Sequence, residues 1–141
     1  MGDRCTVCLT MRRKDVKRFN KHSEAGAGDK LGDFEVDDYP HLQEIVSAQF
    51  DDINYAMTDG LLSAAKKKIP FFGDHGDGGE YPSEVFVSVD GDIYYAETNR
   101  NGDIIVAVDD QGKPLETVKF IREYTKQLKK VTKLFGIDTT I

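Results

Sequence analysis

Residues 84–108 constrain the fold more than any other stretch. The run EVFVSV (84–89) meets Asp90-Gly91 and then DIYYAET (92–98). Asp-Gly between two β-rich runs is a strong hairpin signal, because a type I′ turn needs positive φ at both central residues. A second Asn-Gly, Asn101-Gly102, leads into DIIVAV (103–108). The spacing predicts a three-strand antiparallel meander over 84–89, 92–98 and 103–108. Alternation puts Phe86, Ser88, Ile93, Tyr95, Ile104, Val106 and Val108 on one face. Val85, Val87, Val89, Tyr94, Ala96, Ile105 and Ala107 take the other. Neither face is polar, so the sheet is covered on both sides or one face meets a partner.

The rest of the chain supplies further strands and helices. Residues 4–11 alternate, with Cys5, Val7 and Leu9 sharing one face. Residues 12–23 look helical but offer a core only Val16 and Phe19. The glycine-rich segment 23–34 reads as a mobile loop. Residues 39–57 fit both a helix and a bulged strand. A strand over 44–57 is preferred because Thr58 can cap a helix that follows at once, with Leu61, Leu62, Ala65 and Ile69 inward. The last helix is expected to start at Pro114 and stop at Gly136, with Leu115, Val118, Ile121, Tyr124, Leu128, Val131 and Phe135 as its apolar stripe. The sum is one α+β domain over 1–141, with 136–141 as a C-terminal tail. An antiparallel sheet carries the meander, a long C-terminal helix and shorter helices. The strand–helix–strand order suggests a ferredoxin-like arrangement.

A chain of 141 residues can bury enough surface to fold without disulfides or metals. Two cysteines exclude a disulfide scaffold and point to a reducing cytoplasm. No apolar run approaches a membrane span. The net charge is −6, unevenly spread: residues 31–60 contain eight acids and no Lys or Arg, whereas both ends are basic. Overall acidity makes nucleic acid an unfavoured partner. An acidic face suits a basic partner, although basic terminal helices could instead neutralise it within the fold. The carboxylates Asp37, Asp38, Asp51 and Asp52 are the candidate partner-binding groups.

Few residues carry chemistry. The segment 69–83, IPFFGDHGDGGEYPS, reads as a long surface loop. It is also the densest candidate for a ligand site, with Asp74, His75, Asp77, Glu80 and Tyr81 among glycines that let backbone approach closely. It lacks the Gly-Lys-Ser/Thr of a phosphate-binding loop and the acid order of a calcium loop. Cys5-x-x-Cys8 stands alone, and the three histidines have no ligand spacing, so neither a metal nor a cofactor is expected. No nucleophile motif is present, and no catalytic residue is assigned.

The stretch NYAMTDGLLSAAKKKIPFFGDHGDGGEYPSEVFVSVDG has a recognisable order: Asn-Tyr, a short Leu/Ala helix, Ile-Pro, a His/Gly loop, Gly-Glu-Tyr, a strand and Asp-Gly. It resembles small uncharacterised proteins of bacteriophages and bacterial mobile elements. The resemblance implies a small accessory protein that counters a host system. It draws attention to Asn54, Tyr55, His75, Glu80 and Tyr81, without assigning a role to any of them.

The expected function is that of a small acidic binding or regulatory protein, acting on a protein partner without catalysis and with scope for self-association. The alternative is a small-molecule protein of nucleotide type, or a metal-binding protein, with its site in the 73–81 loop and scope for enzymatic activity.

Overall fold

The computed structural model describes residues 4–27, 44–54, 58–77, 82–99, 101–114 and 117–137. Strand β1 (Arg4–Arg12) passes through a 3₁₀ turn (Arg13–Asp15) into α1 (Val16–Ala27). Strand β2 (Ile45–Asn54), helix α2 (Thr58–Lys66) and strand β3 (Phe71–His75) follow. Strands β4 (Glu84–Ser88) and β5 (Ile93–Glu97) form the expected hairpin, and α3 (Thr117–Phe135) closes the described chain.

The five strands form one antiparallel sheet in the order β2-β1-β3-β4-β5. Strands β2 and β3 both oppose β1, so they run parallel to each other, and α2 connects them across it. That is one split β-α-β unit. A complete ferredoxin-like order is not formed, because β1 and β2 are direct neighbours.

Strand register sets the two faces. Val7, Leu9 and Met11 oppose Phe50, Ala48 and Val46 on one side, and His75, Gly73 and Phe71 on the other. These residues join Phe86 on the face beneath α1 and α2, where Phe19, Leu61, Ala64, Ala65 and Ile69 are buried. Phe71 stacks edge-on between Phe19, at 5.7 Å, and Phe86, at 6.1 Å. The opposite face carries Phe72, Val85, Val87, Tyr94 and Ala96 beneath Ile121, Tyr124, Leu128, Val131 and Phe135 of α3. The apolar faces of the β3–β5 region are therefore covered on both sides. No helix among the described residues is long and apolar enough to cross a membrane.

Several expectations are corrected. The stretch 69–83 is not simply a surface loop, because β3 is the middle strand of the sheet. Gly73 makes this fit possible: a Cβ there would collide with the Cys8 carbonyl and lie 3.0 Å from the Phe86 ring. Helix α1 runs to Ala27, so 23–27 are helical; 28–34 lie outside the described residues. Leu62, expected inward, is 39 % exposed. Helix α3 begins at Thr117, and Pro114 instead bridges to Val108. The third meander strand is absent, since the described pairing of 103–108 with the end of β5 is the Thr98–Ile104 bridge and its two flanking bonds, Ile105 N to Glu97 O and Asn99 N to Asp103 O.

Within the ambiguous stretch 44–57, Ile45–Asn54 is a strand with a bulge, and 55–57 lie outside the described residues. Cys5 pairs with Ile53 but Val7 with Phe50, so Asp51 and Asp52 lie opposite Thr6 alone.

Candidate functional site

The strand directions bring the ends of β2, β3 and β5 and the starts of β1 and β4 to one end of the sheet. Asp51, Asp52, Asn54, Asp74, His75 and Asp77 all fall there. Asp51, Asp52 and Asn54 are placed by the β2 backbone alone, two strands from β3 and so about 10 Å away. Asp37, Asp38, Tyr55, Glu80 and Tyr81 lie outside the described residues.

His75 ends β3 directly opposite Glu84, the first residue of β4. Its Nε2 lies 3.1 Å from Glu84 Oε1 and its Nδ1 lies 2.9 Å from the Gly76 carbonyl oxygen. A carbonyl and a carboxylate both accept, so the arrangement favours a ring with hydrogen on both nitrogens. Burial alone would push the His75 pKa down. Hydrogen bonds to Glu84 and Gly76, with the charges of Glu84 and Asp74, outweigh it and raise the pKa. The His75 side chain is 2 % exposed. Its ring stacks on Phe86 at 6.3 Å and meets Tyr95 edge-on at the same distance. Burial and the Glu84 charge push the Tyr95 hydroxyl pKa upward. His75 is thus a clamped post within the core, its ring nitrogens committed to protein acceptors.

Asp74 projects from the opposite face, across from Cys8 and Val85. Partial shelter raises its carboxyl pKa, against a Cys8 hydrogen bond and the His75 charge, which lower it. Burial, with the Asp74 charge, pushes the Tyr124 hydroxyl up to about 12. The side chains of the adjacent residues 74 and 75 therefore take opposite faces of β3.

A cleft of about 900 Å³ opens at this end, lined by Asp74, His75, Asp77, Ser83, Thr98 and Asn99 among others. Its polar groups are largely engaged within the fold. Ser83 Oγ donates to the Thr98 carbonyl at 3.0 Å, and Thr98 Oγ1 donates to Ser83 Oγ at 3.2 Å. Asn99 Oδ1 accepts from the Asn101 and Asp103 amides. No group of three His, Cys, Asp or Glu among the described residues could hold a metal ion.

A second surface lies at the β5 edge. Thr98 N donates back to Ser83 on the β4 side, whereas Glu97 O accepts outward from Ile105 N. By strand alternation, the backbone groups of Tyr95 and Ile93 also point outward, and no described backbone segment pairs with them. Beside this edge is a groove of about 730 Å³, lined by Asp92, Ile93, Tyr94, Tyr95, Lys119, Phe120 and Glu123. Phe120 is 58 % exposed.

From the end of β5, residues 101–114 project as an arm whose every residue is exposed. Two matching turns shape it. Asn99 and Asp109 each accept amide bonds two and four residues on, and Gly102 and Gly112 have φ near 80°. The arm presents Ile104, Ile105, Val106 and Val108 to solvent.

Glu84 was not foreseen, since its role depends on the β3–β4 register. Phe120 left a faint signal by falling off the apolar stripe of α3. A scan of protein-family models and searches of curated proteins and of solved structures return no match to the chain.

Proposed function

We propose that this chain is a non-enzymatic binding protein that engages a protein partner through the β5 edge and its arm. The observation that supports this most is the coincidence of unpaired strand edge, apolar groove and exposed Ile104, Ile105, Val106 and Val108. Open edges invite strand addition, and exposed apolar clusters of this kind mark interaction sites. The resemblance to bacteriophage and mobile-element proteins supports an accessory role against a host protein, acting in the cytoplasm. Cys5 and Cys8 are thiols and not joined in a disulfide, which fits that compartment. The acidic bulge at Asp51 and Asp52 lies on the far edge of the sheet and offers a separate contact for a basic partner.

The test is capture of a host protein by the intact chain. Val106→Asp with Phe120→Asp is expected to abolish capture and leave the circular dichroism spectrum unchanged. Loss on Asp51→Lys with Asp52→Lys alone would move the interface to β2, and undiminished capture by both variants would refute the reading.

The cleft supports a second reading, a small-molecule site flanked by Asp74 and Asp77. A thermal-shift series with nucleotides and divalent metals is expected to show stabilisation that Asp77→Asn removes. A flat series would remove this reading.

A further inference from the structure

We infer that the β5 edge takes the arm of a second copy of this chain. The inference rests on the reading of that edge as a binding site and names its occupant. A single chain carries both halves of an unfinished ladder. One half is the outward edge of Ile93 and Tyr95. The other is the segment Asp103–Val108, rich in β-branched residues and lying between two turns, with its apolar side chains in solvent.

Pairing within the chain begins and then stops. The Thr98–Ile104 bridge and the Ile105-to-Glu97 bond start an antiparallel ladder, but the next bridge, Val108–Pro114, belongs to the second turn. The arm's remaining backbone groups and the β5 edge are thus complementary and unused by each other. With Glu97 O held by the chain's own Ile105, an arm from another copy can lie along Ile93–Tyr95 with apolar side chains against Phe120 and Tyr94.

Charge supports the same occupant. The arm's apolar core is bracketed by acids, Asp103 before it and Asp109 and Asp110 after it. The groove itself is mixed in charge, with Asp92 and Glu123 beside Lys119; beyond it, Lys126 and Lys130 continue the same side of α3 at helical spacing. Of these three, only Lys130 has an acid partner among the described residues, the exposed Asp90 at 3.3 Å. An acid-flanked apolar strand suits an apolar groove with lysines beside it. Two reciprocal exchanges close a two-fold dimer, so the assembly stops at two.

Light scattering on the full chain, over a concentration series spanning about a thousandfold, tests the inference. The expected mass is twice 15.8 kDa at the upper end, falling to 15.8 kDa on dilution. Ile105→Asp with Val106→Asp should raise the dissociation constant at least a hundredfold with no change in circular dichroism. Lys119→Glu should raise it about tenfold, and the wild-type constant should rise with salt. A mass of 15.8 kDa throughout, or a dimer indifferent to the arm variant, would overturn the second copy. In the first of those cases, host capture that still depends on Val106 and Phe120 leaves the binding site standing. Loss of dependence in both assays removes the site itself.

Discussion

Gly73 and His75 show how single positions set this sheet. Gly73 sits mid-strand with the Cys8 carbonyl and the Phe86 ring against it. Gly73→Ala is expected to cost about 2 kcal/mol or more, because backbone and an aromatic ring must both shift; urea denaturation reads it directly. Ser88 is fully buried on the same face, and its hydroxyl has no partner among the described residues. Ser88→Ala should be neutral to stabilising by about 1 kcal/mol, since it removes a polar group buried without compensation. The clamp on His75 predicts a pH dependence with a definite sign. Its folded pKa lies above the ordinary 6.5, so its stabilisation is complete below 6.5 and is lost as pH rises through the folded value. Denaturation between about pH 5.5 and 8.5 should show that fall, and Glu84→Gln should flatten it. Asp74, raised from the usual 3.8, acts in the same sense as His75, and His22, lowered from 6.5, acts in the opposite sense, so the difference between wild type and Glu84→Gln isolates the His75 part. Residues 74–79 spell turns in sequence, so the chemistry-bearing residues were legible and their environment was not. Whether His75 faces solvent or Glu84 depends on a register between two strands, which no local pattern contains.

At the scale of elements, regular periods were readable and interrupted ones were not. Strands β1, β4 and β5 and helices α2 and α3 follow their apolar repeats. The bulge in β2 showed in the broken alternation around Asp51 and Asp52. Strand β3 escaped because five residues with a central glycine look like loop. The segment 103–108 has a strand's composition, but its two side-chain-stapled turns steer it off β5. Helix α3 ends as its glycine indicates. Ile137 N donates to Thr132 O and Gly136 N to Lys133 O, with Gly136 at φ 74°. Gly136→Ala should therefore cost about 1 kcal/mol in a thermal melt. Lys130→Ala should change stability by less than about 0.5 kcal/mol, because its bond to Asp90 is solvent-exposed.

Across the whole molecule, the charge layout seen in sequence becomes geography. Helix α3 turns Lys119, Arg122, Lys126, Lys129 and Lys133 outward with no acid partner among the described residues, while Asp51 and Asp52 lie on the opposite edge strand. The position of β1 has a further consequence, for synthesis. It is the first of the five described strands to be made, and both of its neighbours come later. Thirty-two residues, 13–44, separate it from β2, which at about 5–20 residues per second is roughly 2–6 s of translation. During that time the nascent chain carries an apolar strand with neither edge paired. Slow codons between α1 and β2 would prolong this exposure, whereas a pause after β5 would find β1 already flanked on both sides.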